Sequence, residues 1–119
     1  MTGEEVSRLV LAEIGNVSDL RVRAFIEKYL VPPYRVPGVW DYGRRDDTYV
    51  CWVIWEHSAS DSGIVYCEEG FGPSSPWGLM FIAGPNRYRM GMDSQWFTSL
   101  QGAFLDSWAA DEVRRNDNE

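Results

Sequence analysis

Apolar positions recur at helical spacing near both ends of the chain and crowd into strand-like runs between them. Val6, Leu9, Val10 and Ile14 fall on one helical face. In front of them, Thr2-Gly3-Glu4-Glu5 reads as a capping box, with Thr2 as cap and Glu5 reaching back, and Gly15 stops the run. Ser18 is placed to cap a second helix, with Asp19 in the first turn where negative charge suits the helix dipole. Leu20, Ala24, Ile26, Tyr29 and Leu30 supply its apolar contacts before Pro32-Pro33 forbid continuation.

The middle of the chain is β in character. Residues 36–42 suit an edge strand, because Pro37 cannot donate to a ladder. Thr48 to Glu56 is the strongest strand signal, rich in β-branched and aromatic residues. Its stretch from Val50 to Trp55 lacks clean alternation, which predicts cover on both faces, one of them by helices. A polar connector, His57 to Gly63, leads to a returning strand over residues 64–68, and a further strand runs from Trp77 to Ala83.

Trp96, Phe97, Leu100, Phe104 and Trp108 then recur at fourfold spacing, predicting a last helix from about Ser94 to Ala110 with Asp93 or Ser94 as cap. Residues 112–119 read as a frayed polar tail. The pattern as a whole predicts one α+β domain over residues 1–119. In it, an antiparallel sheet of about four strands carries two N-terminal helices and one C-terminal helix.

Composition changes this picture little. A chain of 119 residues and 13.6 kDa is long enough for one core without disulfide or metal staples. Six tryptophans are most simply core residues. No apolar run approaches the roughly 20 residues of a membrane span, and Met1 to Glu5 lacks the pattern of a secretory signal, so the expected location is cytoplasmic. Cys51 and Cys67 are then expected as free thiols, although a hairpin could bring them opposite each other. Two cysteines with one histidine do not make a zinc site of the usual spacing, and no cofactor is implied.

Charge changes it more. The net charge is −7, and the stretch between Arg45 and Arg87 holds no lysine or arginine but six carboxylates: Asp46, Asp47, Glu56, Asp61, Glu68 and Glu69. Such a field repels nucleic-acid phosphate and favours encounter with a basic protein. Within it, Gly70-Phe71-Gly72-Pro73-Ser74-Ser75-Pro76-Trp77-Gly78 lacks the lysine and following helix of a phosphate loop. It reads instead as a rigid loop presenting Phe71 and Trp77.

Three groups could carry catalysis. His57 beside Glu56 suggests acid–base work, but neighbours in a strand point to opposite faces, and His57 is expected as a solvated loop residue. Cys51 and Cys67 have no cationic neighbour in sequence to lower a thiol pKa and suit small buried hydrophobes better. Glu68 and Glu69 also diverge if the strand continues through them.

Several segments carry a resemblance: Trp40-Asp41-Tyr42-Gly43, Cys51-Trp52-Val53, Gly63-Ile64-Val65-Tyr66-Cys67-Glu68, Gly70-Phe71-Gly72-Pro73 with Pro76-Trp77-Gly78-Leu79, and Met90-Gly91-Met92-Asp93 through Trp96-Phe97. Over roughly residues 36–108 the chain resembles small bacterial immunity proteins of interbacterial toxin systems. That resemblance implies a cytosolic, acidic, single-domain protein that binds and occludes a cognate toxin.

The expected function is therefore non-enzymatic binding of a basic protein partner. Asp46, Asp47, Asp61, Glu68 and Glu69 would steer it, and Phe71 and Trp77 would anchor it. The alternatives are a small hydrolase or transferase using His57, Glu56 or Cys67 in an aromatic pocket, and a small-ligand or sugar-binding module with Trp40, Trp52 and Trp77 as stacking platforms.

Overall fold

The computed structural model describes residues 2–40, 48–69, 74–85, 87–90 and 95–117. Two helices come first, α1 (Gly3–Gly15) and α2 (Leu20–Lys28). The strands β1 (Leu30–Trp40) and β2 (Thr48–His57) follow, then a single 3₁₀ turn (Ser58–Ser60). After it come β3 (Ser62–Tyr66), β4 (Trp77–Phe81), β5 (Arg89–Met90) and β6 (Gln95–Phe97), and finally α3 (Leu100–Leu105) and α4 (Ala110–Asp117). The fold is α+β. One sheet in the order β5-β1-β2-β3-β4-β6 is antiparallel except for the two-residue parallel pairing of β5 with β1. No described helix is long and apolar enough to cross a membrane.

The N-terminal capping box forms as the sequence predicts: Glu5 N–H donates to Thr2 Oγ1 at 3.2 Å and Thr2 N–H to Glu5 Oε1 at 3.1 Å. Val6, Val10 and Ile14 are buried beneath it, whereas Leu9 is partly exposed. The second cap is Asp19, not Ser18, since its Oδ1 accepts from Arg21 N at 2.9 Å and Val22 N at 3.3 Å. That shift turns Val22 and Ile26 to the core and leaves Leu20 in solvent.

β1 starts directly after α2, so Pro32 and Pro33 lie inside a strand, where its register with β2 slips between Leu30 and Tyr34. Within the expected edge, residues 36–42, Val39 and Trp40 are covered by β5, so β1 is not the outermost strand there, and residues 41–42 lie outside the described residues.

The sheet coils strongly. Tyr88, with a left-handed φ of 62°, donates its N–H to Phe81 O at 2.9 Å and accepts from Val39 N at 2.7 Å. One residue thereby joins diagonally opposite corners, the end of β4 and the end of β1. The enclosed face holds Val36, Cys51, Val53, Val65, Cys67 and Met80, with Tyr88 and Trp96 against them. The outer face carries the larger core: Ile54, Trp55, Ile64, Tyr66 and Trp77 under Val6, Ile26, Leu100 and Phe104 of the helices. Both faces of β2 are thus covered, as its composition predicts.

The C-terminal third departs from expectation. Trp96 and Phe97 belong to β6, paired with Gly78 and Trp77, and the helix begins only at Leu100. Two caps set that start: Ser99 Oγ accepts from Gly102 N at 3.0 Å, and Glu13 of α1 accepts from Leu100 N at 2.8 Å. β6 reaches its place because Gly78 has no side chain; a Cβ there would lie 2.7 Å from the Trp96 ring. Helix α4 runs from Ala110 to Asp117, where the sequence suggested a frayed tail.

Candidate functional site

The placement of His57 follows from a bulge. β2 pairs Val53 with Val65 and then Trp55 with Ile64, so Ile54 is an extra residue. Before it, Trp52 and Ile54 face the helices; after it, Trp55 and His57 do. A bulge shifts which residues face which side, and here it explains the broken alternation of Val50 to Trp55. Gly63 makes room: a Cβ at that position would stand 2.7 Å from Trp55 O.

His57 is consequently buried, with 4% of its surface exposed, not solvated as its connector suggested. Its ring stacks on Trp55 at 5.8 Å, meets Tyr29 edge-on at 5.4 Å and lies tilted against Phe25 at 6.3 Å. Both nitrogens have partners: Nδ1 lies 2.8 Å from Ser60 Oγ, and Nε2 lies 3.1 Å from Glu112 Oε1 of α4. Ser60 Oγ is also 2.5 Å from Ser62 Oγ. Hydroxyl, imidazole and carboxylate therefore stand in the order used for acyl transfer. The ring is enclosed by aromatic side chains, however, and the nearby depression of about 220 Å³ is lined by Arg21, Ala24, Phe25, Lys28 and Val113. Phe25 borders that depression and also contacts the imidazole.

Glu56 points away from His57, as strand geometry requires. Its Oε1 accepts from Tyr34 Oη at 2.5 Å. Partial withdrawal from water, and then this carboxylate, hold the Tyr34 phenol well above its ordinary range. Tyr66 is held up in the same way, by burial and by its 2.8 Å bond to Glu68.

Cys51 and Cys67 are free thiols, 0% and 1% exposed, on the enclosed face. The hydrogen bond from one thiol to the other and their burial push the Cys51 thiol far above the usual range, which opposes a nucleophilic role. Among the described residues, no group of three His, Cys, Asp or Glu side chains could hold a metal ion.

The acidic residues expected to form one surface are divided. Asp61 sits in a left-handed turn just before β3, and Glu68 and Glu69 follow just after it; all three are exposed. The length of β3 separates them, roughly 17 Å at about 3.4 Å per residue. Asp46, Asp47 and Phe71 lie outside the described residues. Trp77 is not presented to solvent: it opens β4, is 3% exposed and packs on Tyr66 at 5.0 Å. The stacking platforms fare similarly. Trp52 is half-buried under the Arg35 guanidinium at 5.7 Å, and the Trp40 side chain lies outside the described residues.

A different aromatic residue is exposed. Trp108 has 58% of its surface in solvent and leans on Phe81 at 5.5 Å. Phe81 pairs with Ser62, and Ile82 N donates to Asp61 O at 2.9 Å, so Asp61 belongs to the same neighbourhood. Asp106 ends α3 two residues earlier, and Asp111 N donates to Trp108 O at 3.1 Å. Fourfold spacing had assigned Trp108 to the core; its exposure follows from the turn between α3 and α4. Glu112, Ser60 and Ser62 also went unnoticed in the sequence, where nothing ties residue 57 to residue 112.

No family model, no curated protein and no solved structure matches this chain.

Proposed function

We propose that this chain is a non-enzymatic, cytoplasmic binding protein that occludes a basic protein partner, in the manner of an immunity protein neutralising its toxin. The observation that carries the reading is Trp108, a largely exposed ring braced on Phe81. Asp106 and Asp111 flank it in the chain and Asp61 bonds Ile82, the residue after Phe81; all three are exposed. An aromatic anchor within a carboxylate rim complements a cationic protein surface. The net charge of −7 and the exposed Glu68 and Glu69 at the other end of β3 add long-range attraction. The reactive side chains are already engaged internally: His57 with Ser60 and Glu112, Cys51 with Cys67, and Glu56 with Tyr34.

The test is to capture a partner from the native cell at low salt, purify it, and measure its affinity across a salt series. The reading expects a basic protein whose affinity falls with salt. Trp108→Ala should weaken binding roughly thirtyfold, chiefly through faster dissociation. Asp61→Lys and the pair Glu68→Lys with Glu69→Lys should slow association and flatten the salt dependence. An acidic partner, or one indifferent to all of these changes, would end the proposal.

A second reading, a small hydrolase, rests on the Ser60–His57–Glu112 order alone. Labelling of Ser60 by a fluorophosphonate, abolished in Ser60→Ala, would put it first.

A further inference from the structure

We propose that Cys51 and Cys67 form a built site for an intramolecular cross-strand disulfide, closed when the chain folds in the presence of a small-molecule disulfide such as oxidised glutathione. The pairing comes from register. Trp52 faces Tyr66 across β2 and β3, so Cys51 and Cys67, one step further along each chain, face each other. Both point into the enclosed cluster with Val53, Val65 and Met80, and their thiols are hydrogen-bonded.

The kind of pair matters as much as its register. Cys67 N–H donates to Pro76 O at 2.9 Å, toward the β4 side. Toward β2 the pair is therefore non-hydrogen-bonded, the type in which Cα atoms approach to about 4.5 Å. A disulfide spans Cα separations of about 4.4–6.8 Å, so the bond needs little backbone movement.

The exchange is balanced. The thiolate of one cysteine attacks a sulfur of glutathione disulfide, breaking its S–S bond and releasing one glutathione thiolate. The second cysteine's thiolate then attacks the protein sulfur of that mixed disulfide and releases the second. Two cysteine protons end on two glutathiones; the protein is oxidised by two electrons and the small disulfide reduced by two.

Burial sets when this happens. With both thiols shielded in the folded chain, exchange proceeds during folding or through opening of the sheet, and the finished bond is sheltered from reductant. The bond would staple β2 to the exit of β3, directly before Glu68 and Glu69. In a reducing compartment the same residues remain the thiol pair seen here.

The test is to refold reduced, denatured protein in a reduced/oxidised glutathione buffer, then denature it and block free thiols with N-ethylmaleimide. Intact mass and a non-reducing gel give the result. The proposal expects a monomer lacking two hydrogens and carrying no maleimide, with a Tm higher by roughly 10 °C than the reduced protein. It also expects reduction by dithiothreitol to be at least tenfold slower for folded than for denatured protein. Two maleimides, a retained glutathione adduct, disulfide-linked dimers, or a bonded monomer less stable than the reduced one would each overturn it.

Discussion

The two faces of the sheet solve the same packing problem with different side chains. The outer face, under the helices, is aromatic: Trp55, Tyr66, Trp77 and Phe104 lie in its core, and Phe25, Tyr29 and Trp55 enclose a buried imidazole. The enclosed face has compact aliphatic and sulfur-bearing residues at its centre, Cys51, Val53, Val65, Cys67 and Met80, and larger rings only at its margin. Curvature accounts for the contrast. Side chains converge inside a coiled sheet, so bulk is limited there, while helices standing off the outer face leave depth for rings. A polar group follows the depth. His57 is tolerated on the outer face because both its nitrogens find partners, whereas the reactive atoms inside are two sulfurs that satisfy each other.

The contrast can be broken most severely on the outer side. Phe104→Ala should cost about 4 kcal/mol, against about 2 kcal/mol for Val53→Ala within the sheet, both read from urea unfolding. Equal losses would mean that the two clusters are not separately packed. Gly63→Ala attacks the hinge between them, because its Cβ would meet Trp55 O, a backbone atom, at 2.7 Å. We expect about 3 kcal/mol from this single methyl. Gly78→Ala should cost less, about 1–2 kcal/mol, since the obstacle is the Trp96 side chain, which can rotate. If Gly63→Ala proved the milder change, the bulge would not depend on that contact.

These residues also show what could be read from the chain and what could not. The N-terminal helices and strands β2 to β4 were legible because each is written locally, in caps, periodicity and β-branched runs. The position of His57 was not, because a bulge depends on two strands at once and on a glycine nine residues from Ile54. The C-terminal pattern misled for a related reason. Residues 96, 100, 104 and 108 share a helical face only if the helix is continuous, and the side chain that sets its start, Glu13, lies 87 residues before Leu100. The same turn between α3 and α4 brought Trp108 to the surface. Of the expected surface, Asp61, Glu68 and Glu69 are exposed, but their separation along β3 was not apparent from charge alone.

A smaller effect sharpens the account of the outer face. Trp55 is fully buried, and its indole Nε1–H has no hydrogen-bond partner among the described residues. Replacing the indole by phenyl loses contact area but also removes an unsatisfied donor, and these terms oppose each other. Trp55→Phe should therefore cost only about 1 kcal/mol, well below the roughly 3–5 kcal/mol typical of truncating such a ring to alanine. A loss as large as that of Trp55→Ala would show that the nitrogen is satisfied in solution.

The smallest expected effect compares the faces through their tyrosines. Tyr34, opposite Val53, bonds Glu56 at the rim of the enclosed face; Tyr66, in the outer cluster, bonds Glu68. Both phenols are raised above their ordinary range in the folded chain. Folding thus favours their neutral forms. The stability this adds is fully present below the unfolded phenol value of about 10 and is lost as pH rises from there through the folded values. Phenolate absorbance should show these two tyrosines titrating above the free phenol value, and urea midpoints should fall more steeply above pH 10 in the native chain than in Tyr66→Phe. Tyr34→Phe should change that slope less, because Tyr34 is 37% exposed and Tyr66 only 7%, so water screens the rim pair. If the two variants changed the alkaline slope equally, burial would not be what separates the two pairs, and the charge–hydroxyl contact alone would account for both.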